Sequence, residues 1–371
     1  MAVTESLLET PLAGLHRELG GRVVPFAGYA MPVQYPAGIM AEHLHTRAAA
    51  SLFDVSHMGQ AELVGEGAAA ALERLTPADV QGLKPNRQRY GLLLNEAGGI
   101  VDDFMFANMG AEGDERLFLV VNASRKHVDL PLIASVLPAG VTLRVLPDRA
   151  LLALQGPGAV AALATLLPEV AALTFMGVWA GQGEYQGLIV SRSGYTGEDG
   201  VEISVPAGNA DAFARRLLAL PGVLPAGLGA RDSLRLEAGL CLYGNDIDET
   251  TTPVEANLVW SIGKRRRMAW DFPGADIIRD QMDHGAPRLR VGIRPEGRQP
   301  ARGHSEIQAG GVAVGEVTSG GFGPSVNGPV AMGYVTRGHA ADGQALELMV
   351  RGKGIPAHVA PLPFHPHRYA R

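Results

Sequence analysis

The stretch Gln88-Arg-Tyr-Gly-Leu-Leu-Leu94, Asn95-Glu-Ala-Gly-Gly99, Ile100-Val-Asp-Asp-Phe-Met-Phe-Ala107 sets two strand-forming runs around five turn-forming residues, and it reads as a β-hairpin. A third strand, Leu117 to Val121, follows. Upstream, Thr10 as N-cap, Pro11 at the first helical position, Leu12, Leu15 and Leu19 on one face and Gly20-Gly21 as the stop predict a helix. A second helix is expected from Ile39 to about Ala50, and a strand from Gln60 to Val64. Downstream, helical patterns at Arg125 to Val136 and Asp211 to Leu220 interleave with strand patterns at Thr142 to Val145, Leu151 to Leu154, Leu188 to Ser191 and Val201 to Val205. Hairpins mixed with helices, without regular βαβ repeats, predict α+β layers. From about Pro287 onward, turns such as Gly310-Gly311 and Gly320-Gly321 separate short Val-rich runs, which predicts an all-β terminal domain.

A chain of 371 residues is long enough for two or three domains at ~150 residues each. With 46% hydrophobic and 19% charged residues it is neither disordered nor collagenous. Cys241 is the sole cysteine, so no intramolecular disulfide and no cysteine-based metal site can form, as expected in a reducing compartment. The most apolar stretch, Ala150 to Pro168, is broken by Gln155-Gly156-Pro157 and predicts no membrane span. The opening residues carry Glu5 and Glu9 and no early Arg or Lys, unlike a signal or transit peptide, so a cytoplasmic location is expected. A net charge of −6 with one short basic run, Lys264 to Arg267, argues against a nucleic-acid partner. That run could meet an acidic protein partner, or be a solvated loop.

Three segments concentrate chemistry. In the first, Asp102 and Asp103 open an otherwise apolar strand; side chains alternate, so Val101, Asp103 and Met105 share one face and Ile100, Asp102, Phe104 and Phe106 the other. Only one of the two carboxylates can enter a given pocket. A functional acid and a strand-end carboxylate that caps an amide or faces water both fit the pattern. The second is the Gly-rich loop Ser191 to Glu202, which gathers Tyr195, hydroxyls and carboxylates between two strands; Glu202 and Ser204 share a face opposite Val201, Ile203 and Val205. In the third, Gly227 to Gly239, Asp232 stands where a dinucleotide loop needs its third Gly, which excludes a Rossmann reading. Arg231 lies in the first turn of that helix, against the helix dipole, and calls for an anionic ligand or a carboxylate partner such as Asp232. His43 and His45 cannot face one site from a helix, so no metal site is expected. No Gly-x-Ser-x-Gly is present to support a serine hydrolase.

Taken in order, the wording of many segments resembles the aminomethyltransferase, or T-protein, family of the glycine cleavage system. The matching segments run from Val24 to Pro32, Phe53 to Met58, Gly98 to Phe104, Val120 to Ala123, Leu154 to Pro157 and Ser191 to Glu202. They continue through Pro225 to Gly239, Leu242 to Glu249 and Gly315 to Gly320, nearly the whole chain. The resemblance implies a three-domain cloverleaf around a central folate cavity: two intertwined α+β domains, residues 1–54 with 141–243 and 55–140 with 244–285, and a C-terminal β-barrel or jelly-roll domain, 286–371. It implies transfer of the methylene of an aminomethyl group on lipoylated H-protein to tetrahydrofolate, with no metal, giving 5,10-methylenetetrahydrofolate, ammonia and dihydrolipoyl H-protein.

Carried over by motif, Asp103 is the implied catalytic acid. Glu202 would bind the pterin's N–H groups, Arg231 a polar group of the folate, and Tyr90, Asn122 and Tyr195 would line the cavity with Met58 packed on the pterin. Near the C-terminus, Tyr369 or Arg368 falls at a folate-contacting position, and Leu240 departs from relatives that carry Tyr there. A folate-dependent demethylase and a non-enzymatic folate-binding protein of the same fold are the alternatives.

Overall fold

The computed structural model describes residues 7–110 and 115–370. The hairpin forms as expected: Arg87–Leu94 pairs antiparallel with Ile100–Asn108 across the 95–99 turn. Gly98 takes φ +77°, a left-handed conformation open to glycine, and a Cβ on Gly99 would lie 1.8 Å from the Glu249 carbonyl oxygen. The hairpin is one edge of a five-stranded sheet that continues through Arg116–Val121 and Gly59–Val64 to Thr142–Val145. Leu63, Leu93, Phe104, Phe106 and Leu119 pack beneath it with Ile133 of the helix Lys126–Ser135.

A six-stranded sheet runs in the order Val178–Ala180, Ile189–Ser191, Gly200–Pro206, Arg149–Gln155, Ala50–Asp54, Val223–Pro225. Its last strand is parallel to its neighbour and the others pair antiparallel. Alternation holds along Gly200–Pro206. Val201, Ile203 and Val205 enter the core with Leu152, Leu154 and the helix residue Phe213, while Glu202 and Ser204 face the five-stranded sheet. The C-terminal strands Arg288–Pro295, Gly328–Thr336, Val312–Gly323, Glu306–Ala309, Ala345–Val350 and Lys353–Ala360 close into a barrel, which leaves no edge unpaired. Val330 and Met332 on its outside pack on Leu236 of the helix Leu228–Glu237. The α+β architecture with an all-β end therefore stands, and no helix among the described residues is long and apolar enough to cross a membrane.

Local differences have physical causes. The first regular helix runs from Ala13, and the Thr10 hydroxyl does two jobs ahead of it: it accepts from the Leu12 backbone N–H at 3.3 Å and donates to the buried Asp54 carboxylate at 2.6 Å. In the hairpin, Leu93 pairs with Asp102 but Leu94 with Ile100; Val101 is the extra residue of a bulge. It turns toward Phe104 and Phe106, while Ile100 joins Leu92 and Leu94 on the other side, so the simple alternation fails at the strand's start. Thr142–Val145 belongs to the five-stranded sheet, so the chain crosses between sheets after Val145, and a boundary at 141 detaches this strand from its partner Gly59–Val64.

Candidate active site

The two sheets face each other across a cavity. Gln88, Met105, Ala107, Phe118 and Val120 line it from the five-stranded sheet; Leu151, Val178, Ile189, Ser191, Glu202 and Ser204 line it from the six-stranded sheet. Strand alternation from Met105 carries Asp103 onto the same face. Its carboxylate accepts from Tyr90 Oη at 3.0 Å and from Asn122 Nδ2 at 2.7 Å. Burial is the largest cause that pushes it up to about 7, and Asp102 adds to this to the extent that it is charged. An acid with that value can take and return a proton at neutral pH.

Asp102, fully buried, points the opposite way. It accepts from Asn122 Nδ2 at 2.8 Å and from the Asn122 backbone N–H at 3.3 Å, so one amide serves both acids. Burial, then Asp129 beside it, raise its carboxyl to about 9. Asp129, also fully buried, is pushed up to about 6, again chiefly by burial. The strand reading separated the two adjacent acids correctly but missed Asp129. Its position one turn before the buried Ile133 on the same helix was the available signal.

A second set gathers around Glu202, the one residue of the sequence-derived site that lines the cavity itself. The Arg231 guanidinium lies 4.7 Å over the Tyr195 ring, and its Nη1 is buried with no partner among the described residues. Burial lowers its pKa, opposed by the negative charge of Glu202. Burial likewise raises Glu202, opposed by Arg231 and a hydrogen bond from Ser193. Asp232, the carboxylate offered from the sequence as a partner for Arg231, pairs instead with Arg235 at 2.9 Å. The Tyr195 hydroxyl donates to the Cys241 carbonyl, and Asp103 is among the charges acting on that phenol. Met58 packs among Phe53, Phe118 and Val120, in the cluster that also contains Met105.

Asp103, Tyr90 and Asn122 thus form one group, and Glu202, Arg231 and Tyr195 a second. Tyr369 joins a different set: its ring stacks on Phe175 at 4.4 Å and tilts against His367 at 5.0 Å. Arg368 pairs with Glu198 at 2.9 Å. Two further residues were missed. Trp260, 63% exposed, stacks on Tyr90 at 5.2 Å, and His57, buried beside Phe26 and Tyr29, is held at about 4, first by burial and then by Arg231 and Lys126 over the opposing pull of Asp54. The basic run is a helix, Lys264–Ala269, not a loop. Arg265 is bound by Glu73 and Asp79, Arg266 by Asp271, and Arg267 by the Val259 carbonyl, so two of its four cations are already paired with carboxylates.

Fold and site define a class. Residues 12–266 match the family model of the GCVT N-terminal domain, and residues 288–365 that of the glycine cleavage T-protein C-terminal barrel domain. Among relatives, the mitochondrial aminomethyltransferase of Gallus gallus is 49% identical over 98% of this chain and 94% of its own length. That of Homo sapiens is 47% identical over 98% and 92%. The crystal structure of the glycine cleavage system aminomethyltransferase T from Bartonella henselae superposes with a TM-score of 0.94 at 44% identity, covering 99% of this chain and all of the other. The chain belongs to the glycine cleavage T-protein, or aminomethyltransferase, family.

Proposed function

We propose that this chain transfers the methylene carbon of an aminomethyl group, carried on the lipoyl sulfur of an H-protein, to tetrahydrofolate. The carbon's bonds to sulfur and to the amine nitrogen break, and two bonds to folate nitrogens form. The two protons those nitrogens lose leave with ammonia and with the lipoyl thiol. The observation that carries the reading is the Asp103 carboxyl, set near neutrality on the strand face that Met105 presents to the cavity and oriented by Tyr90 and Asn122. In this reading Asp103 relays the proton that the folate nitrogen gives up and the departing amine takes.

The residues fit a reduced pterin. Glu202 is partly buried with Ser193 as its internal donor, which leaves acceptor capacity for two N–H groups of a guanidine-like ring edge. The unpartnered Nη1 of Arg231 fits a folate carbonyl or carboxylate. Tyr195 and Met58 would flank the ring. Tyr369 is proposed as the C-terminal contact, since Arg368 is already held by Glu198. The single, buried Cys241 is in keeping with a reducing compartment, and we place the protein in the cytoplasm.

Ammonia release from aminomethylated H-protein, measured with and without tetrahydrofolate, tests the reading. Folate-dependent release is expected. Release that ignores folate, or no release with both partners present, would overturn it.

A further inference from the structure

Behind the Asp103 carboxylate, away from the cavity, two buried acids stand within hydrogen-bond reach of each other. Asp102 and Asp129 are both fully buried, and among the described residues no donor reaches either carboxylate oxygen of Asp129. Two bare carboxylates side by side in such a place repel, and an acceptor left without a donor is costly. One proton between them removes both problems. The surroundings decide which acid carries it. Asp102 has Asp103 beside it on its own strand and the phenol of Tyr243 facing it from the 241–247 segment; Asp129 also feels the charge of Asp103, but it faces Arg125 from its own helix, and that attraction outweighs it. Arg125 in turn pairs with Glu249 at 2.5 Å and lies 5.0 Å over the Tyr243 ring. Negative charge is therefore favoured on Asp129 and the proton on Asp102, in keeping with carboxyls at about 6 and about 9.

We propose that Asp129 is a positioning residue for the reaction: Asp102 keeps its proton and donates it to the Asp129 carboxylate, and this neutral link holds Asn122 in place to orient the Asp103 carboxylate. Asn122 is the coupling. Its Nδ2 reaches Asp102 Oδ1 at 2.8 Å, the Asp103 carbonyl at 3.0 Å and Asp103 Oδ1 at 2.7 Å, so a shift of Asp102 moves the donor on which Asp103 depends. Keeping Asp102 neutral also withholds a second negative charge from the strand position next to the reacting acid. The kinetic part rests on the role proposed for Asp103; the protonation part does not.

Infrared pH-difference spectroscopy of the intact protein reads the proton directly. At pH 8 the wild type is expected to show a buried protonated carboxyl that disappears in Asp102→Asn, and its titration midpoint is expected to fall in Asp129→Asn, where the anionic acceptor is gone. Absence of the band in the wild type, or its persistence in Asp102→Asn, overturns the inference whether or not the reaction is as proposed. Turnover supplies the second readout. Asp102→Asn retains a donor for Asp129 and Asp102→Leu does not, so kcat is expected to be about ten-fold or more lower in the Leu variant, with KM for tetrahydrofolate little changed. Circular dichroism identifies a Leu variant that fails to fold, and Asp129→Leu then replaces it in the comparison. Equal kcat in the donor-retaining and donor-lacking variants overturns the positioning role. Asp103→Asn keeps the two readings apart, because normal turnover there defeats the role proposed for Asp103 and leaves the infrared result to judge the proton.

Discussion

Asn122 satisfies the acids on both faces of one strand, and the consequences fall first on single residues. Asp103→Asn is expected to lower single-turnover ammonia release by about 10²- to 10⁴-fold, the range typical of a lost acid–base group, while tetrahydrofolate still binds. Equal release from wild type and variant would contradict that. Glu202→Ala should weaken tetrahydrofolate binding by ~1 to 3 kcal/mol in calorimetry, because it strips a partner from buried N–H groups. The raised acids also act on stability. A carboxyl at about 9 in the fold and about 3.9 in the unfolded chain stabilises the native state fully below pH ~4, and this contribution fades as pH rises toward 9. Urea midpoints measured between pH 5 and 9 should therefore decline with pH less in Asp102→Asn than in the wild type. Period-two alternation made the opposite facing of Asp102 and Asp103 legible in the sequence. Asp129 was not legible, because its meeting with Asp102 depends on how a helix lies across a sheet, and that is set by tertiary packing.

At the scale of elements, the hairpin that decides the fold was legible because its turn residues and apolar flanks are local signals. The bulge at Val101 was not; it arises where Ile100 must reach the Ile247 and Leu258 cluster while Phe104 serves the opposite core. The basic run shows the same limit. Arg265 and Arg266 spend their charge on partners about 190 positions away or on Asp271, and sequence spacing does not reveal this. Gly99 makes the packing of the hairpin testable. A Cβ there collides with the Glu249 carbonyl, so Gly99→Ala should cost ~1 to 3 kcal/mol in urea unfolding, the usual range for overpacking, by prising the 241–251 segment from the hairpin. Unchanged stability would show that this contact yields freely.

At the scale of the whole molecule, Glu237 gathers parts of the chain far apart in sequence. It accepts from Arg47 Nη2 at 3.1 Å and from the Ser325 backbone N–H at 2.8 Å, and it meets His43 at 3.1 Å; its backbone carbonyl accepts from the His365 N–H at 3.0 Å. Burial alone would raise its carboxyl, but His43, Ser325 and Arg47 outweigh that and hold it at about 2. A depressed carboxyl contributes stability above its unfolded value of ~4.3 and loses it as pH falls toward 2. Stability measured from pH 5 to pH 2 should fall less steeply in Glu237→Gln, from a lower starting point at neutral pH. The order of the sheets adds a consequence in time. All five strands of the five-stranded sheet come from one continuous stretch, Gly59 to Val145, while the six-stranded sheet needs Ala50–Asp54 to wait for Arg149–Gln155, Gly200–Pro206 and Val223–Pro225. Because loop closure grows costlier with separation, the five-stranded sheet is expected to gain amide protection first during refolding, and the six-stranded sheet then completes against a partner already formed.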